Sequence, residues 1–536
     1  MKINRAFFLS LVLVAGAGLR LYKLSANSFW HDEANFILFK PHPGKLLPSL
    51  AFISDEILNK GIGLINCGYA VFTTFWSSFS NRDFFLRLSS VLFGIGCIVL
   101  IYKTGKLLFD SSTGLIAAVI IAFSPLHIYY SQEFRMYTIV SLFALCSTYA
   151  LWQFLKTGSR GYVWVYAISH AINFYMHMTA VLLWVAQVVF FILYKEKFKS
   201  RLEEWRRCQI MALILMLPGI LILLIELLRI GNFKNMMFFA VSTTTQTSPH
   251  FLLIPLFSFK NFVAGYNASP GPSWPTVILF AVFFSAAFFP RGKKGELFLC
   301  LCCFILPFFI LYASQRFMYC DRYLISSSLF LYLIAARGIA GLKKFYAVSA
   351  LGCILAFSSL SLKNYFSGYL PSPAEERIGV SGKEASREAA RYILDNFSDG
   401  DVIFHTENNT GLPFRYYFNY YFNQENGQKK YFDTRKIALA VYFTKPGELA
   451  CFTSWEQLSK REAETIFPVR GHKRVWLVFS SWNFEKAIQP GSEELGKLEW
   501  MDKEYMRADE RHFKNLIVYL FVRHKDALQF PLRRES

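Results

Sequence analysis

The sequence predicts an α-helical polytopic membrane protein with a C-terminal α/β domain. Of its 536 residues, 54% are hydrophobic and only 18% are charged, whereas a soluble domain carries about 25% charged residues. The mean hydropathy is +0.31, and the apolar residues occur in long runs. These features exclude a soluble, disordered or fibrous protein. The net charge of +20 therefore does not indicate a nucleic-acid-binding protein.

A helix needs about 20 mostly apolar residues to cross a bilayer, and about eleven segments approach this requirement. They are Ala6–Leu21, Phe85–Tyr102, Gly114–Tyr129, Tyr137–Leu155, Tyr162–Tyr175, Met178–Tyr194, Gln209–Leu228, Pro275–Phe289, Glu296–Ala313, Tyr323–Ile339 and Phe345–Leu362. The segment Tyr162–Tyr175 is short, so a buried core helix is the alternative there. The pattern Ala15-Gly16-Ala17 leaves cleavage of the first segment as a signal peptide open.

Lys and Arg residues cluster before the first apolar segment and after every second one. The clusters are Lys2 and Arg5; Lys103 and Lys106; Lys156 and Arg160; the basic residues of 195–207; Arg291, Lys293 and Lys294; and Arg337, Lys343 and Lys344. Because positive residues concentrate in short cytoplasmic loops, this side is predicted to be cytoplasmic. Residues 1–362 are then a transmembrane domain whose outer loop is 23–82. Residues 363–536 are an extracytoplasmic domain.

The composition of the chain changes after Asn364, and Pro371-Ser372-Pro373 marks the change. Three helices and three strands are predicted beyond it: helices over Ser381–Phe397, Leu412–Phe422 and Ser454–Phe467, and strands over Asp401–Phe404, Arg474–Phe479 and Asn515–Val522. Helices that alternate with short apolar strands indicate a small α/β domain. This region has no glycine-rich phosphate loop, Cys/His cluster or hydrolase elbow, which favours a structural or acceptor-guiding role.

Asp32 and Glu33 form an adjacent acidic pair just beyond the first apolar segment, with Trp30 at the depth of the membrane interface. A solvated acidic loop with an aromatic anchor is one interpretation. The other is a general base at the edge of the bilayer, where a carboxylate can take a proton from an incoming hydroxyl or amine.

Glu133 and Arg135 lie in the very short loop between the third and fourth segments, on the same predicted outer side. An Arg at that depth suits a lipid phosphate, because its planar fork matches phosphate oxygens. A local Glu–Arg ion pair at a helix end is the alternative.

His177 ends the fifth segment, and Arg316, Asp321 and Arg322 lie at the outer end of the tenth. A lone His is usually packed and hydrogen-bonded, whereas ionisable residues beside membrane spans often mark functional sites. The outer face is therefore predicted to collect six ionisable residues: Asp32, Glu33, Glu133, Arg135, His177 and Arg322.

Three motifs give the chain a family resemblance. They are Phe29–Ala34; Phe84–Ser90 with Ser124-Pro125 and Tyr130–Tyr137; and Asp321–Leu324. With them, the region up to about Leu362 resembles the bacterial GT-C glycosyltransferases of the protein O-mannosyltransferase and aminoarabinose transferase group. The tail, at Ala385–Leu394 and Asp399–Ile403, looks like the extracytoplasmic domain of that family.

The resemblance implies an inverting hexosyl- or pentosyltransferase of the bacterial inner membrane. It would move one sugar from a polyprenyl-phosphate donor to an envelope lipid, polysaccharide or protein. Asp32 matches the general base of the family and Glu33 is its neighbour. Glu133, Arg135, His177, Arg322 and Tyr323 are candidates for binding the donor and its phosphate. No cofactor is firmly implied, and a divalent cation held by Glu133 and His177 stays open.

One departure from the family lies in the first outer loop. Many relatives have a His-Pro-Pro-Leu-Tyr-like segment where this chain has Lys60–Asn66, which puts acceptor binding in question. A transporter or flippase of a lipid-linked saccharide is the alternative function. Against it, the chain shows no paired repeat, and its ionisable residues cluster at one face instead of at mid-membrane depth.

Overall fold

The computed structural model describes most of the helical region and part of the tail. The described residues are 5–38, 66–230, 251–290, 292–313, 319–371, 380, 382–398, 400–405, 408–422, 439–440, 472–480, 498–499, 501–503 and 505–529. Three predictions lie outside them: the departure at 60–65, the position of Arg316, and the polar helix Ser454–Phe467.

Each of the eleven apolar segments coincides with helical structure. The helices are Arg5–Leu21, Asp83–Leu108, Ser111–Phe123 with Pro125–Ser131, Tyr137–Thr157, Arg160–Met176, Val181–Leu193, Leu202–Ile230, Pro270–Ala286, Lys294–Ala313, Ile325–Ala340 and Lys344–Ser367. Three further helices lie in segments that the sequence left without a predicted structure: His31–Leu38, Cys67–Trp76 and Ile254–Ala264.

Among the described residues, six helical segments are long and apolar enough to cross a membrane. They are Asp83–Leu108, Tyr137–Thr157, Lys195–Leu224, Lys294–Ala313, Asp321–Ala340 and Lys344–Ser367. A bent pair brings the number to seven if its two helices are one span. Four other predicted spans are helices of 13 to 17 residues, so the count of eleven stays a prediction.

The predicted single span Gly114–Tyr129 is wrong in one respect, because the helix breaks within it. Ser111–Phe123 and Pro125–Ser131 meet at an angle of 60°. Pro125 has no amide hydrogen to continue the first helix. Ser124 caps the second one, since its hydroxyl accepts a hydrogen bond from the amide of His127 at 3.3 Å.

Contacts divide the chain into two compact units. One, here called the helical unit, contains Met1–Leu24, Ser54–Phe72 and Arg87–Ser381. The other, here called the tail unit, contains Ser25–Ile53, Thr73–Leu86 and Gly382–Ser536. The segment that carries Asp32 therefore folds with the tail, although the two are far apart in sequence.

The tail unit is built on a five-stranded sheet of order β2-β1-β3-β5-β4. The strands are β1 Val402–His405, β2 Leu439–Ala440, β3 Arg474–Ser480, β4 Tyr505–Phe513 and β5 Leu516–Arg523. Strand β1 is parallel to β2 and β3, and β5 is antiparallel to β3 and β4. The side chains of β1, β3 and β5 form a buried core that includes Phe404, Leu477 and Phe521. The α/β prediction for the tail is confirmed.

Two predicted tail helices are present with shifted ends. The amphipathic helix spans Ser386–Asn396. The aromatic helix spans Asn408–Tyr416 and continues as a π-helix over Tyr417–Tyr421. Strand β4 was not predicted, because most of its side chains are polar and only partly covered or exposed. Such charged positions are typical of an edge strand, and they conceal the apolar alternation that identifies a buried one.

Candidate active site

The turn that follows the broken helix is held by Arg20 of the first helix, whose side chain is completely buried. Its guanidinium donates to the carbonyls of Ile121 and Ala122, each at 3.0 Å, and to the hydroxyl of Ser131 at 3.1 Å. Few backbone donors remain for these carbonyls, because the helix ends at Phe123 and Pro125 cannot donate; the Ser124 amide lies 3.4 Å from the Ile121 carbonyl. Arg20 thus secures the break that leads into the motif.

Gln132 makes the reciprocal contact with the end of the first helix. Its side-chain amide donates to the carbonyls of Leu19 at 3.3 Å, Arg20 at 2.9 Å and Tyr22 at 2.7 Å. Carbonyls at a helix C-terminus lack partners within the helix. Gln132 therefore caps the first helix, while Arg20 caps the helix Ser111–Phe123 and binds Ser131, so part of the motif Tyr130–Tyr137 is structural.

Glu133 and Arg135 occupy the turn between this cap and the helix Tyr137–Thr157. Glu133 is fully buried and its carboxylate interacts with the hydroxyl of Tyr129. The amide of Arg135 donates to the carbonyl of Glu133 at 2.8 Å, and the hydroxyl of Ser90 donates to the carbonyl of Arg135 at 3.3 Å. The backbone is therefore fixed on both sides of Arg135.

Aromatic rings connect Arg135 to the other predicted residues of the helical unit. The guanidinium carbon of Arg135 lies 5.7 Å from the ring centre of Tyr137, and the Tyr137 and His177 rings are 6.2 Å apart. The rings of His177 and Tyr323 are 4.8 Å apart, and the guanidinium of Arg322 lies 5.6 Å from that of Tyr323. Arg135, His177, Arg322 and Tyr323 therefore form one cluster with cation–π geometry at both ends.

His177 lies at the break between Arg160–Met176 and the short helix Met178–Ala180, and it is buried. Burial, followed by the positive charges of Arg135 and Arg322, lowers the pKa of His177 to about 3. The imidazole is therefore neutral near neutral pH. Its Nδ1 lies 2.7 Å from the hydroxyl and 3.3 Å from the amide nitrogen of Thr179; the amide can only donate, so this pair of contacts fits a ring that carries its proton on Nε2.

Asp321 and Lys260 extend the polar region of the helical unit, and both are buried. The Asp321 carboxylate accepts hydrogen bonds from the Ser258 hydroxyl at 2.5 Å and the Asn261 amide at 2.7 Å. It also interacts electrostatically with the positive charge of Lys260. Three of these partners come from the helix Ile254–Ala264, which was not predicted. Its signal was a single Lys in the apolar stretch 251–264, and Arg20 gave the same signal in the first segment.

Asp32 and Glu33 lie in the tail unit, in the first turn of the helix His31–Leu38. Glu33 is fully buried, and its Oε2 lies 3.5 Å from the amide nitrogen of Trp30, a long capping contact. Asp32 keeps part of its surface exposed. Acidic residues at this end of a helix are stabilised by its dipole. The two adjacent acids differ in exposure, because Glu33 is buried and Asp32 is only partly covered.

The open prediction of a divalent cation gains no further ligand from the structure. Within the described ranges, no group of three or more His, Cys, Asp and Glu side chains could hold a metal ion. Ca²⁺ and Mg²⁺ take at least six oxygen ligands, some of them water.

Comparisons with known proteins agree with the resemblance seen in the sequence. Residues 68–225 match the family described as dolichyl-phosphate-mannose-protein mannosyltransferase. A search of curated protein sequences finds no match.

Solved structures are similar over nearly the whole chain. ArnT from Cupriavidus metallidurans in the apo state is 11% identical with a TM-score of 0.56, and the match covers 96% of this chain and 97% of that chain. The same enzyme bound to undecaprenyl phosphate is 12% identical with a TM-score of 0.54 and the same coverage. The Archaeoglobus fulgidus oligosaccharyltransferase, in complex with Zn and sulfate, is 11% identical with a TM-score of 0.52. That match covers 95% of this chain and 73% of that one.

At these identities the structural matches establish the fold, and the family match adds a sequence signature over residues 68–225. Both describe integral membrane proteins, in agreement with the helices that are long enough to span a bilayer. The chain therefore has the fold of the GT-C glycosyltransferases, and its predicted resemblance to the protein O-mannosyltransferase and aminoarabinose transferase group is confirmed.

Proposed function

We propose that this protein is an inverting glycosyltransferase that moves one monosaccharide from a polyprenyl-phosphate donor to an envelope acceptor. The observation that carries the proposal is the cluster of Arg135, His177, Arg322 and Tyr323 in the helical unit. Its support is the fold shared with ArnT, which has been solved with undecaprenyl phosphate.

Arg135 and Arg322 bind the donor phosphate in this proposal. Guanidinium groups form bidentate, charge-assisted hydrogen bonds with phosphate oxygens. When the bond between the sugar and the phosphate breaks, the oxygen that leaves gains negative charge. Two positive groups fixed in place stabilise that charge without reorganising. A neutral His177 contributes an Nε2–H donor, and Tyr137 and Tyr323 present aromatic faces beside it.

Glu133 is proposed to accept hydrogen bonds from sugar hydroxyls, since an ionised carboxylate offers only acceptors. Its burial suits this role, because contact with Tyr129 and a fixed turn keep its position defined. The same negative charge balances the nearby cations when the donor is absent.

Asp32 is proposed as the general base. It takes the proton from an acceptor hydroxyl or amine, and the resulting nucleophile attacks the anomeric carbon as the bond to phosphate breaks. The phosphate leaves with the bonding electrons. A single displacement inverts the anomeric configuration. Glu33 is buried and caps the helix start, so we assign it to holding Asp32 in place.

The orientation is also a proposal. The clusters of basic residues, which include Lys103, Lys106 and Lys156 near the C-terminal ends of their helices, support a cytoplasmic N-terminus under the positive-inside rule. The tail unit and the site then face the periplasm of a bacterial inner membrane. The sugar would be transferred there to a lipid, a polysaccharide or a protein.

A deletion strain tests the transfer and identifies the sugar. Mass spectrometry of envelope glycolipids and glycoproteins should show the loss of one sugar, restored by the unaltered gene. Arg135→Gln and Arg322→Gln should each restore less than about 1% of it, since removing one such donor costs roughly 10²–10³-fold in rate. Arg207→Gln is the matched control, because Arg207 pairs with Glu203 on the exposed first turns of the helix Leu202–Ile230.

Two outcomes would contradict the proposal. One is full restoration by both Arg135→Gln and Arg322→Gln. The other is an unaltered set of envelope glycans together with accumulation of a lipid-linked saccharide on the cytoplasmic side of the deletion strain. The second outcome would indicate a flippase.

A further inference from the structure

The segment before Asp32 is held by the helix Ser386–Asn396 of the tail. The hydroxyl of Ser28 donates to the carboxylate of Glu388 at 3.0 Å and accepts from the amide of Arg387 at 3.1 Å. The guanidinium of Arg387 donates to the carbonyls of Ser25 at 2.9 Å and Ala26 at 3.3 Å. One short stretch of the tail thus contacts backbone and side chain in the segment 25–28.

Phe29 is held by the aromatic helix of the tail. Its ring is fully buried and stacks on Tyr416, with ring centres 4.7 Å apart and planes at 15°. Its amide donates to the Tyr417 hydroxyl at 2.6 Å. The helix that carries Asp32 begins two residues later, at His31. The stacking and the hydrogen bond therefore fix the chain immediately before the proposed base.

Asp83 joins these contacts into one network, and its carboxylate is buried. It accepts from the hydroxyl of Tyr416 at 2.7 Å, from that of Tyr417 at 3.0 Å, and from Arg387 at 3.1 Å. Because the Tyr417 hydroxyl accepts from Phe29 and donates to Asp83, it connects the Asp32 segment to a buried negative charge. Such charge-assisted bonds are stronger than neutral ones.

The charges of this network are complementary. Burial lowers the pKa of Arg387, but Tyr417, Glu388 and Asp83 together raise it above its ordinary value. Arg387 therefore remains positive beside Asp83. A buried ion pair of this kind is strongly disrupted when one partner is removed, because the other charge is left uncompensated.

We propose that Tyr417, Arg387 and Asp83 are positioning residues that hold the Asp32 segment in the geometry needed for transfer. This inference rests on the proposed function, since the tail residues would affect transfer only through the proposed base Asp32. The family resemblance alone assigned the tail no residue-level role. Here the network makes it part of the catalytic apparatus, because the orientation of the proposed base depends on side chains more than 300 residues away along the chain.

The first test uses Tyr417→Phe in the full-length protein in lipid nanodiscs, with donor and acceptor from the producing cells. This change keeps the ring but removes the hydroxyl shared by Phe29 and Asp83. We expect kcat to fall roughly 10- to 100-fold, because small displacements of a catalytic group are costly. The KM for the donor should stay unchanged, since the donor-binding residues lie in the helical unit. Tyr392→Phe is the matched control, because its hydroxyl bonds to Asp509 at the edge of the sheet.

A second measurement does not depend on activity. Hydrogen exchange of the amides in 28–38 should become faster in Tyr417→Phe, while exchange in β3 stays as in the unaltered protein. Arg387→Lys should give an intermediate rate of exchange and an intermediate kcat. Arg387→Gln should give the largest change, since it loses the positive charge beside Asp83.

Asp32→Asn, measured alongside, separates failure of this inference from failure of the proposed function. If Asp32→Asn keeps full turnover, the proposed base is wrong, whatever the tail variants do. If Asp32→Asn is inactive but Tyr417→Phe and Arg387→Gln keep unaltered turnover, positioning by the tail is overturned. Slow turnover together with unchanged exchange in 28–38 also overturns it, because the defect would then arise elsewhere.

Discussion

Two short segments carry most of the proposed chemistry, and they are held in different ways. The segment Ser131–Tyr137 of the helical unit is tied to the end of the first helix: Arg20 donates to Ser131, and Gln132 donates to the carbonyl of Arg20. All residues of this segment are buried. The segment 25–38 of the tail unit is held by side chains from the distant tail, and Asp32 keeps part of its surface exposed. The first suits fixed binding of one ligand, and the second suits a base that must meet different acceptors.

The comparison also separates chemistry from structure within each motif. In the first segment, Ser131 and Gln132 contact helix ends, and Glu133 and Arg135 are the residues proposed to bind the donor. In the second, buried Glu33 caps its helix, and Asp32 is the residue proposed to act on the acceptor. Neighbouring polar residues are therefore assigned different roles, by their hydrogen-bond partners in the first segment and by burial in the second.

The largest expected effect on stability is the loss of the Arg20 cap. Arg20→Leu removes the buried guanidinium that donates to the carbonyls of Ile121 and Ala122 and to the hydroxyl of Ser131, and it leaves the Ile121 carbonyl only the long contact with the Ser124 amide. Each buried polar group left unsatisfied costs about 1–3 kcal/mol, so we expect a loss of roughly 3–5 kcal/mol. Thermal unfolding in detergent measures it, and the exposed Arg160 supplies the control Arg160→Leu. An unchanged Tm would contradict the structural role of Arg20.

Gln132→Leu should be the next largest. It removes one amide group that serves three carbonyls at the end of the first helix. Two of these three hydrogen bonds are only partly buried, so we expect a loss of about 1–2 kcal/mol. The same melting experiment tests it. The double variant with Arg20→Leu should lose less stability than the sum of the two single losses, because both residues act on one junction. Strictly additive losses would contradict a shared junction.

Glu33→Ala should be milder still and confined to the tail unit. Loss of the capping contact and of a negative charge at the helix N-terminus should destabilise the helix His31–Leu38 by about 1 kcal/mol. Hydrogen exchange across 31–38 measures the change. The exchange rate of Glu33→Gln should lie between those of Glu33→Ala and the unaltered chain, since an amide oxygen still accepts the hydrogen bond. Equal exchange in all three chains would contradict the capping role that separates Glu33 from Asp32.

The smallest expected effect is a change in the pKa of one buried His, and each unit contains one such residue for comparison. Burial lowers the pKa of both His177 and His405 to about 3, but only His177 is also lowered by arginines. An unfolded His has a pKa of about 6.5, so the unfolded state binds more protons between these values. Stability contributed by either His is therefore complete above about pH 6.5 and is lost as the pH falls toward about 3.

Arg322→Gln distinguishes the two sites. It should raise the pKa of His177 and leave that of His405 unchanged, which NMR titration of histidine-labelled protein can measure. A pKa of His177 that does not respond would place Arg322 too far away to share a ligand with it.

The sequence predicted the helical segments because each is a long apolar run, and it predicted β1, β3 and β5 because they are short and apolar. It did not predict the break at Pro125, because the single predicted span Gly114–Tyr129 ran across Ser124 and Pro125. Arg20 and Lys260 were hidden in apolar stretches, and their role depends on which carbonyls and carboxylates fold beside them. Asp32 could be identified from the sequence because it lies in one short polar motif, and Glu133 and Arg135 because they lie in another.

The contacts between the tail and the Asp32 segment could not be predicted from the sequence. Tyr416, Tyr417 and Arg387 show no local pattern that indicates Phe29 or Asp83 as a partner. The pairing depends on long-range topology, which composition and periodicity do not encode for single residues.

The most direct test of the account measures turnover by Asp32→Asn in nanodiscs, as release of polyprenyl phosphate and appearance of the glycosylated acceptor. Asp502→Asn is the matched control, because Asp502 pairs with Arg507 on the surface of the tail. We expect Asp32→Asn to lose at least about 10²-fold in kcat, the usual contribution of a general base, while the KM for the donor stays unchanged. Turnover equal to that of Asp502→Asn and the unaltered protein would contradict the claim that Asp32 is the base.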